Sequence, residues 1–260
     1  LNNMDFLMRS DCKLSDEQWK VIDEKVVSAA RSVLTGRKFL NLFGPLGAGV
    51  PTVEVTKSGK KQVAVLSELF SDFTLTWRDL ETSERLNIPM SYSEAISAVV
   101  EVALKEDELI FLGNEKTGVA GLISEAGKTV KLQNWDKDEN AFAAISTGLQ
   151  FMLENHAYGT KVLVVSPDVF AVLQRIQPGT GTLESQRISA LIEGKIYQTP
   201  VLPAKTALLI ASDEQNMDLA IGQDFVTAYL GSSDMNHDFR VFETALLRLK
   251  NPNAVVVYKD

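Results

Sequence analysis

Residues 106–122 read EDELIFLGNEKTGVAGL, and Gly113 and Gly118 enclose Asn114, Glu115, Lys116 and Thr117 directly after the apolar run 109–112. That spacing opens like a phosphate-binding loop, in which a following Lys reaches the phosphates and a Ser or Thr hydroxyl holds magnesium. Gly118 is followed instead by Val119 and Ala120, so both the charge and the metal ligand are missing. The expected reading is a turn, or a packed loop in which two backbones approach closely. GPLGAG (44–49) spaces its glycines as G-x-x-G-x-G, not as the dinucleotide fingerprint, and no strand–helix pair frames it. Gly231-Ser232-Ser233 does not form a G-x-S-x-G nucleophile elbow.

Nucleophile and metal chemistry have few candidates. Only His156 and His237 exist, outside any H-E-x-x-H or E-x-x-H spacing, and Cys12 is the one cysteine. Zinc would have to draw most of its ligands from carboxylates, which is uncommon in structural sites. Each histidine is read as a helix-end or surface residue, and no metal or cofactor is expected. Among 34 Asp and Glu residues a carboxylate pair for glycoside chemistry stays open, while Glu106, Asp107 and Glu108 are read as a solvated helix face. A net charge of −8 and a pI near 5.0 argue against polyanion partners; the densest basic cluster is Lys57, Lys60 and Lys61. No apolar run approaches a bilayer span, no secretory signal pattern is present, and one cysteine suits a reducing cytoplasm.

The elements that would position these residues are legible in part. Ser15 with Gln18 reads as a capping box, and Trp19, Ile22, Val26, Ala29 and Val33 follow at helical spacing up to a stop at Gly36. Residues 52–67, TVEVTKSGKKQVAVLS, alternate as a long β-hairpin, marginal alone and so either folded onto its own core or laid across a neighbouring subunit. A second helix starts near Ser91 with Glu94 completing a box; Ile96, Val99, Val100 and Ala103 point inward, and Glu101 pairs with Lys105. A third carries Phe142, Ile145, Leu149, Met152 and Leu153 on one face and stops at Gly159. KVLVV (161–165) is a buried strand, Ser166-Pro167 opens a helix, and two short helices bracket IQPGTGTL (176–183). Beyond Gly194 the chain is mostly strands, without a βαβ rhythm, so the fold class is α+β.

GRKFLNLFGPLG (36–47), FTLTWRDLE (73–81), the stretch at 106–122, GKIYQTPVL (194–202), LAIGQDF (219–225) and FETALLRLKNPNAVVVYK (242–259) together resemble encapsulin shell proteins, the linocin-type bacteriocin family. The matches keep their order over nearly the whole chain from Asp5 onward. The resemblance implies the tailed-phage major-capsid fold and an icosahedral shell of a multiple of sixty subunits in a bacterial or archaeal cytoplasm. It implies an N-terminal arm and inner helix (1–51, helix 15–34), an extended loop (52–72), and a peripheral domain (73–134) with a spine helix at 92–112. An axial domain (135–225) and a return to the peripheral domain (226–260) complete that division.

Function on this resemblance is containment. A cargo enzyme, such as a ferritin-like protein or a dye-decolourising peroxidase, docks its C-terminal peptide in an apolar groove on the inner wall. Arg37, Phe39 and Asn41 match the docking positions, with Leu42 and Val33 as neighbours; Asn41 stands where the family often has an acidic residue. The loop Gln177, Pro178, Gly179, Thr180, Gly181 and Thr182 corresponds to the pore loop at the fivefold axis, where small uncharged side chains would make a flexible, nearly neutral aperture. Some relatives stack a flavin on a tryptophan in the segment matching FTLTWRDLE. Here Trp77 stands one place earlier and Arg78 holds that position; one step along a strand reverses the face, so no flavin is expected and Trp77 is read as core or interface. The alternatives are a capsid protein packaging DNA, against which the acidic pI and the lack of a basic arm argue, and a linocin-type protease built on Cys12. No nucleic acid, membrane or catalytic residue is expected.

Overall fold

The computed structural model describes residues 6–260 except 58, 87 and 115–117. The first helix, α1 (Asp16–Val33), begins on the expected capping box: Gln18 N–H donates to Ser15 Oγ at 3.3 Å and Ser15 N–H to Gln18 Oε1 at 2.8 Å. Its buried stripe is Trp19, Ile22, Val26 and Ala30, so the core side passes through Ala30, while Ala29 and Val33 lie half-buried at the margin. The helix ends before Gly36, because Thr35 and Gly36 turn their N–H groups to a side chain from another helix, described below.

Strand β1 (Leu42–Phe43) follows, then the hairpin of β2 (Thr52–Lys57) and β3 (Lys60–Val65). Pairing of Lys57 with Lys60 leaves a two-residue turn, of which Ser58 lies outside the described residues. Register also fixes the faces. Val53 opposes Ala64 on the inner one; Val63 and Val65 oppose Glu54 and Thr52 on the outer one, where they are 73% and 50% exposed. Strand β4 (Ser67–Leu75) alternates buried and exposed residues along its whole length. It stops before Trp77, which opens a helix, α2 (Trp77–Leu86), that the sequence reading did not contain. The signal was present: Thr76 Oγ1 accepts from Asp79 N–H at 3.2 Å, an N-terminal cap.

The longest helix, α3 (Ser93–Phe111), starts after Tyr92 with no side-chain cap, so Ser91 and Glu94 do not form the expected box. Ala95, Ala98, Val99, Val102 and Ala103 form its inward side, while Ile96 is 37% exposed and Val100 half-buried. Glu101 and Lys105 pair at 2.7 Å as expected. The apolar run 109–112 is the end of this helix, and it leads into the two-residue strands β5 (Gly113–Asn114) and β6 (Val119–Ala120). A Cβ on Gly121 would overlap the backbone of Gly113, Leu112 and Phe111, and Gly113 itself has φ +88°. Two backbones therefore touch where the sequence offers glycine, which is the packed-loop reading; Glu115, Lys116 and Thr117 lie outside the described residues.

The remaining elements are β7 (Lys128–Lys131), α4 (Asn140–Glu154), β8 (Lys161–Val165), α5 (Pro167–Leu173), α6 (Glu184–Ile192), β9 (Lys195–Gln198), β10 (Thr206–Ala211), β11 (Met217–Ile221), β12 (Val226–Ser233), β13 (Asn236–Leu249) and β14 (Val255–Lys259). In α4 the buried residues are Ala141, Ile145, Gly148 and Met152, whereas Leu153 is 55% exposed, contrary to expectation. Two five-stranded sheets organise the chain. One runs β1-β11-β13-β12 with β4 also paired to β13; the other runs β7-β14-β10-β8-β9. The 14-residue β13 joins the first sheet: its early residues pair with both β12 and β4, its last with β11. Helix α3 packs on β4 and β13 with α1 beside it, and Trp19 of α1 also reaches the sheet, its ring centroid 5.7 Å from that of Phe239. Over the second sheet lies α4, where Gly148 admits the Tyr258 ring and Tyr258 Oη donates to Ala144 O at 3.1 Å. Every residue of β10 is buried, which is why that stretch reads as continuously apolar without alternation.

Candidate functional site

Three elements meet where α1 ends. Glu106 and Asp107, expected on a solvated face, are fully buried on α3. They are inside because residues 35–37 supply their partners. Asp107 accepts from Thr35 N–H at 2.9 Å and Gly36 N–H at 2.8 Å, and so caps the turn Gly36–Lys38 from the side. Burial nevertheless raises the Asp107 carboxyl to about 6, against the opposing pull of those N–H groups.

Arg37 stands in a cage of acids. Its Nε and Nη2 donate to Glu106 Oε2 at 2.8 and 2.6 Å, Nη2 also to Glu243 Oε2 at 2.6 Å, and Nη1 to Asp224 Oδ1 at 2.8 Å. Glu243, on β13, is as buried as Glu106. Burial, and next the neighbouring Glu106 charge, push Glu243 well above the usual carboxylate range. One guanidinium thus faces two buried carboxyl groups, with the half-exposed Asp224 outside them. Burial works against the Arg37 charge, but Glu106, Glu243 and Asp224 more than offset it and hold its pKa above normal.

This cage supports one wall of a groove of about 340 Å³. Val27, Ala30 and Arg31 of α1 and Leu34, which follows it, line it together with Arg37, Lys38, Leu42, Asp224 and Phe225. The Arg37 guanidinium lies 4.9 Å from the centroid of the Phe225 ring, which places an aromatic face on a fixed support. Val27 and Leu42 remain 38% and 49% exposed, large apolar side chains left open beside a concavity. The groove's lining combines these apolar side chains with the cations of Arg31 and Lys38.

The structure divides the five docking residues expected from the sequence. Arg37 and Leu42 line this groove. Phe39 and Asn41 face a different cavity, of about 380 Å³, and Lys38 lines both. Val33 lines neither and packs at the edge of the core. Phe39 is partly a packing residue, its ring centroid 6.3 Å from Phe111 and 6.1 Å from Tyr197. Val27, Ala30, Arg31, Leu34, Asp224 and Phe225 were not anticipated. Val27 and Arg31, four apart and off the buried stripe of α1, were the available signal.

The loop at 177–182 is anchored at its base and open at its tip. Gln177 is buried, its N–H donating to Thr182 O at 2.9 Å and its Nε2 to Asp138 O at 3.0 Å. Arg175 also donates to the carbonyls of Asp136 and Asp138. Pro178, Gly179, Thr180, Gly181 and Thr182 are exposed.

Elsewhere, His156 follows the end of α4 in the left-handed region and contacts Tyr158, while His237 on β13 shares a hydrogen bond with Tyr229 Oη at 3.1 Å. Cys12 and His237 border one cavity of about 670 Å³, a proximity the sequence did not suggest. Burial pushes the Cys12 thiol up, which disfavours the thiolate a nucleophile needs. Trp77 lies on that same cavity at the start of α2, 40% exposed with Arg78 over its ring. It is not a core residue, and the strand-alternation argument does not apply to it. Among the described residues no cluster of three or more His, Cys, Asp or Glu is placed to hold a metal, and no helix is long and apolar enough to cross a membrane.

A long helix on a sheet joined by one 14-residue strand, a two-stranded hairpin and a second sheet with its own helices define a capsid-like fold. The virus-like particle of Pyrococcus furiosus superposes with a TM-score of 0.79 over 93% of this chain and 99% of that one at 22% identity. The capsid of Myoviridae phage XM1 does so at 0.64 over 86% and 91%, at 15% identity. The family described as an encapsulating protein for peroxidase matches residues 4–246. A type 1 encapsulin shell protein of Myxococcus xanthus is 36% identical over 96% of this chain and 95% of its own length. A diheme-cytochrome–encapsulin shell fusion protein of Kuenenia stuttgartiensis is 34% identical over 95% of this chain and 74% of its own. The chain belongs to the encapsulin shell protein family.

Proposed function

We propose that copies of this chain close into an icosahedral compartment in the cytoplasm and hold a cargo enzyme inside by its C-terminal peptide, bedded in the groove between α1 and Phe225. The carrying observation is the groove itself: Val27 and Leu42 are exposed beside a ring held rigid by a buried Arg37–Glu106 pair. An apolar concavity on a well-packed wall fits the apolar side chains of a partner segment. The cargo class is that of a ferritin-like protein, a cytochrome or a dye-decolourising peroxidase; relatives fused to a ferritin-like or diheme-cytochrome protein support the first two. On this reading the second sheet with α4, α5 and α6 gathers at the symmetry axes, and the exposed tip 178–182 borders an aperture for small solutes. The chain then serves as wall, not catalyst.

The test is purification of shells from the native cytoplasm, with mass spectrometry of the contents, for the natural protein and for Leu42→Asp and Val27→Asp. Expected are hollow particles in all three and a second protein in the natural shells alone, since a charge in an apolar pocket costs the complex several kcal/mol, on the order of a hundredfold or more in affinity. Cargo retained by both variants would remove the groove from the mechanism.

A further inference from the structure

Residues 37–42 divide between the groove and a second cavity. Arg37 and Leu42 belong to the groove, Phe39 and Asn41 to the cavity beyond, and Lys38 lines both. The second cavity has an aromatic floor: Phe39 stacks on Tyr197 with ring planes 25° apart, and Tyr197 Oη donates to Lys38 O at 3.5 Å. Its charged lining has one more cation than anions. Lys38, Lys161 and Lys195 line it against Glu193 and Asp213. Lys161 and Asp213 are already engaged with backbone, the first donating to Gly159 O at 2.7 Å and the second accepting from Thr160 N–H at 2.9 Å. Lys38 and Lys195 have no ion-pair partner among the described residues. In a chain of net charge −8, two unpaired lysines lining one cavity with stacked aromatic rings, and sharing Lys38 with an apolar groove, form a distinct surface. Asn41, at the cavity edge, adds no negative charge to it.

We propose that this cavity receives a carboxylate at the end of the docked segment: the apolar side chains settle between Val27 and Leu42, the chain crosses Lys38, and its terminal carboxylate lies between Lys38 and Lys195. The proposal rests on the cargo-docking reading and adds to it the chemistry of the partner's last residue. A carboxylate meeting an ammonium makes a charge-assisted hydrogen bond, and that pairing discriminates an acid from the same chain ending in an amide.

The experiment is calorimetric titration of the purified full-length protein with acetyl-Val-Thr-Leu-Thr-Leu-Gly, prepared as the free acid, as the C-terminal amide, and as an amide extended by one Asp. The free acid is expected to bind roughly tenfold more tightly than the amide. Lys38→Gln with Lys195→Gln, and separately Asn41→Asp, should lower the acid to the affinity of the amide and leave the amide unchanged. Recovery of affinity by the Asp-extended amide assigns the subsite to any terminal carboxylate; no recovery assigns it to the α-carboxylate alone. Equal binding of acid and amide to the natural protein overturns the proposal while leaving the groove intact. Binding of neither overturns the docking reading and this proposal with it.

Discussion

Glu106 and Asp107 carry two carboxylates into the protein interior from adjacent positions of one helix, and they ask different things of residues 35–37. Asp107 meets backbone N–H groups of Thr35 and Gly36. Its carboxyl is raised by burial from 3.8 to about 6, so between those values the folded state binds the proton and the unfolded state does not. Stability from this group therefore falls as pH rises through that window, and its cost is fully present above it. Urea unfolding near pH 5 and near pH 7.5 should show the natural protein gaining about 1 kcal/mol more on acidification than Asp107→Asn. Equal gains would place the Asp107 carboxyl at an ordinary pKa. The acids around Arg37 make a second contrast. Burial pushes the Glu243 carboxyl well above its usual range, so the isosteric Glu243→Gln should cost less unfolding free energy than Glu106→Gln. Glu106→Gln removes the charge that balances a buried guanidinium and should cost about 3–5 kcal/mol in the same measurement.

At the scale of elements, the exit of α3 is the most sharply determined joint. The helix ends at Phe111, Gly113 takes a positive φ, and Gly121 returns with its Cα against the backbone it has just left. Leu122 N–H donates to Ile110 O at 2.9 Å and Ile123 N–H to Phe111 O at 3.0 Å, which clamps the return on the helix end. No side chain can yield to relieve a Cβ at Gly121, because its neighbours are main chain. Gly121→Ala should lower stability by about 2 kcal/mol or more in denaturant titration. Gly118, with open space around its Cβ position, is the fitting control: its Ala variant carries only the strain of φ +68°.

For the whole molecule, the hairpin β2–β3 displays what a single chain leaves unfinished. Val53 turns inward onto Leu66 and Leu246, while Val63 and Val65 on the opposite face lie open to solvent. A two-stranded ribbon with apolar side chains on its outer face gains stability by lying on something. In the proposed shell the surface expected to cover it is a neighbouring subunit. Val63→Asp with Val65→Asp should leave the monomer folded by circular dichroism but shift the sedimentation profile from particles to small species. Particles of unchanged size would assign the outer face of the hairpin to solvent.

The amino-acid order by itself determined the local architecture and the family. Ser15 with Gln18, the β2–β3 alternation, the buried strand at 161–165 and the loop between two short helices are properties of neighbours along the chain, where capping, periodicity and turn chemistry act over a few residues. The absent Lys and hydroxyl after Gly118 were equally legible, and so was the packed-loop alternative. Tertiary structure alone decided the site. Glu106 and Asp107 look like solvent-facing charges until residues 35–37, some seventy positions away, supply an Arg and two free N–H groups. The groove joins α1, the turn at 36–38 and Asp224-Phe225, segments with no common periodicity. The separation of Phe39 and Asn41 from Arg37 and Leu42 follows from how residues 37–42 pass between two cavities. Local signals report what one segment prefers, whereas burial of a charge and closure of a groove depend on which distant segments arrive to meet it.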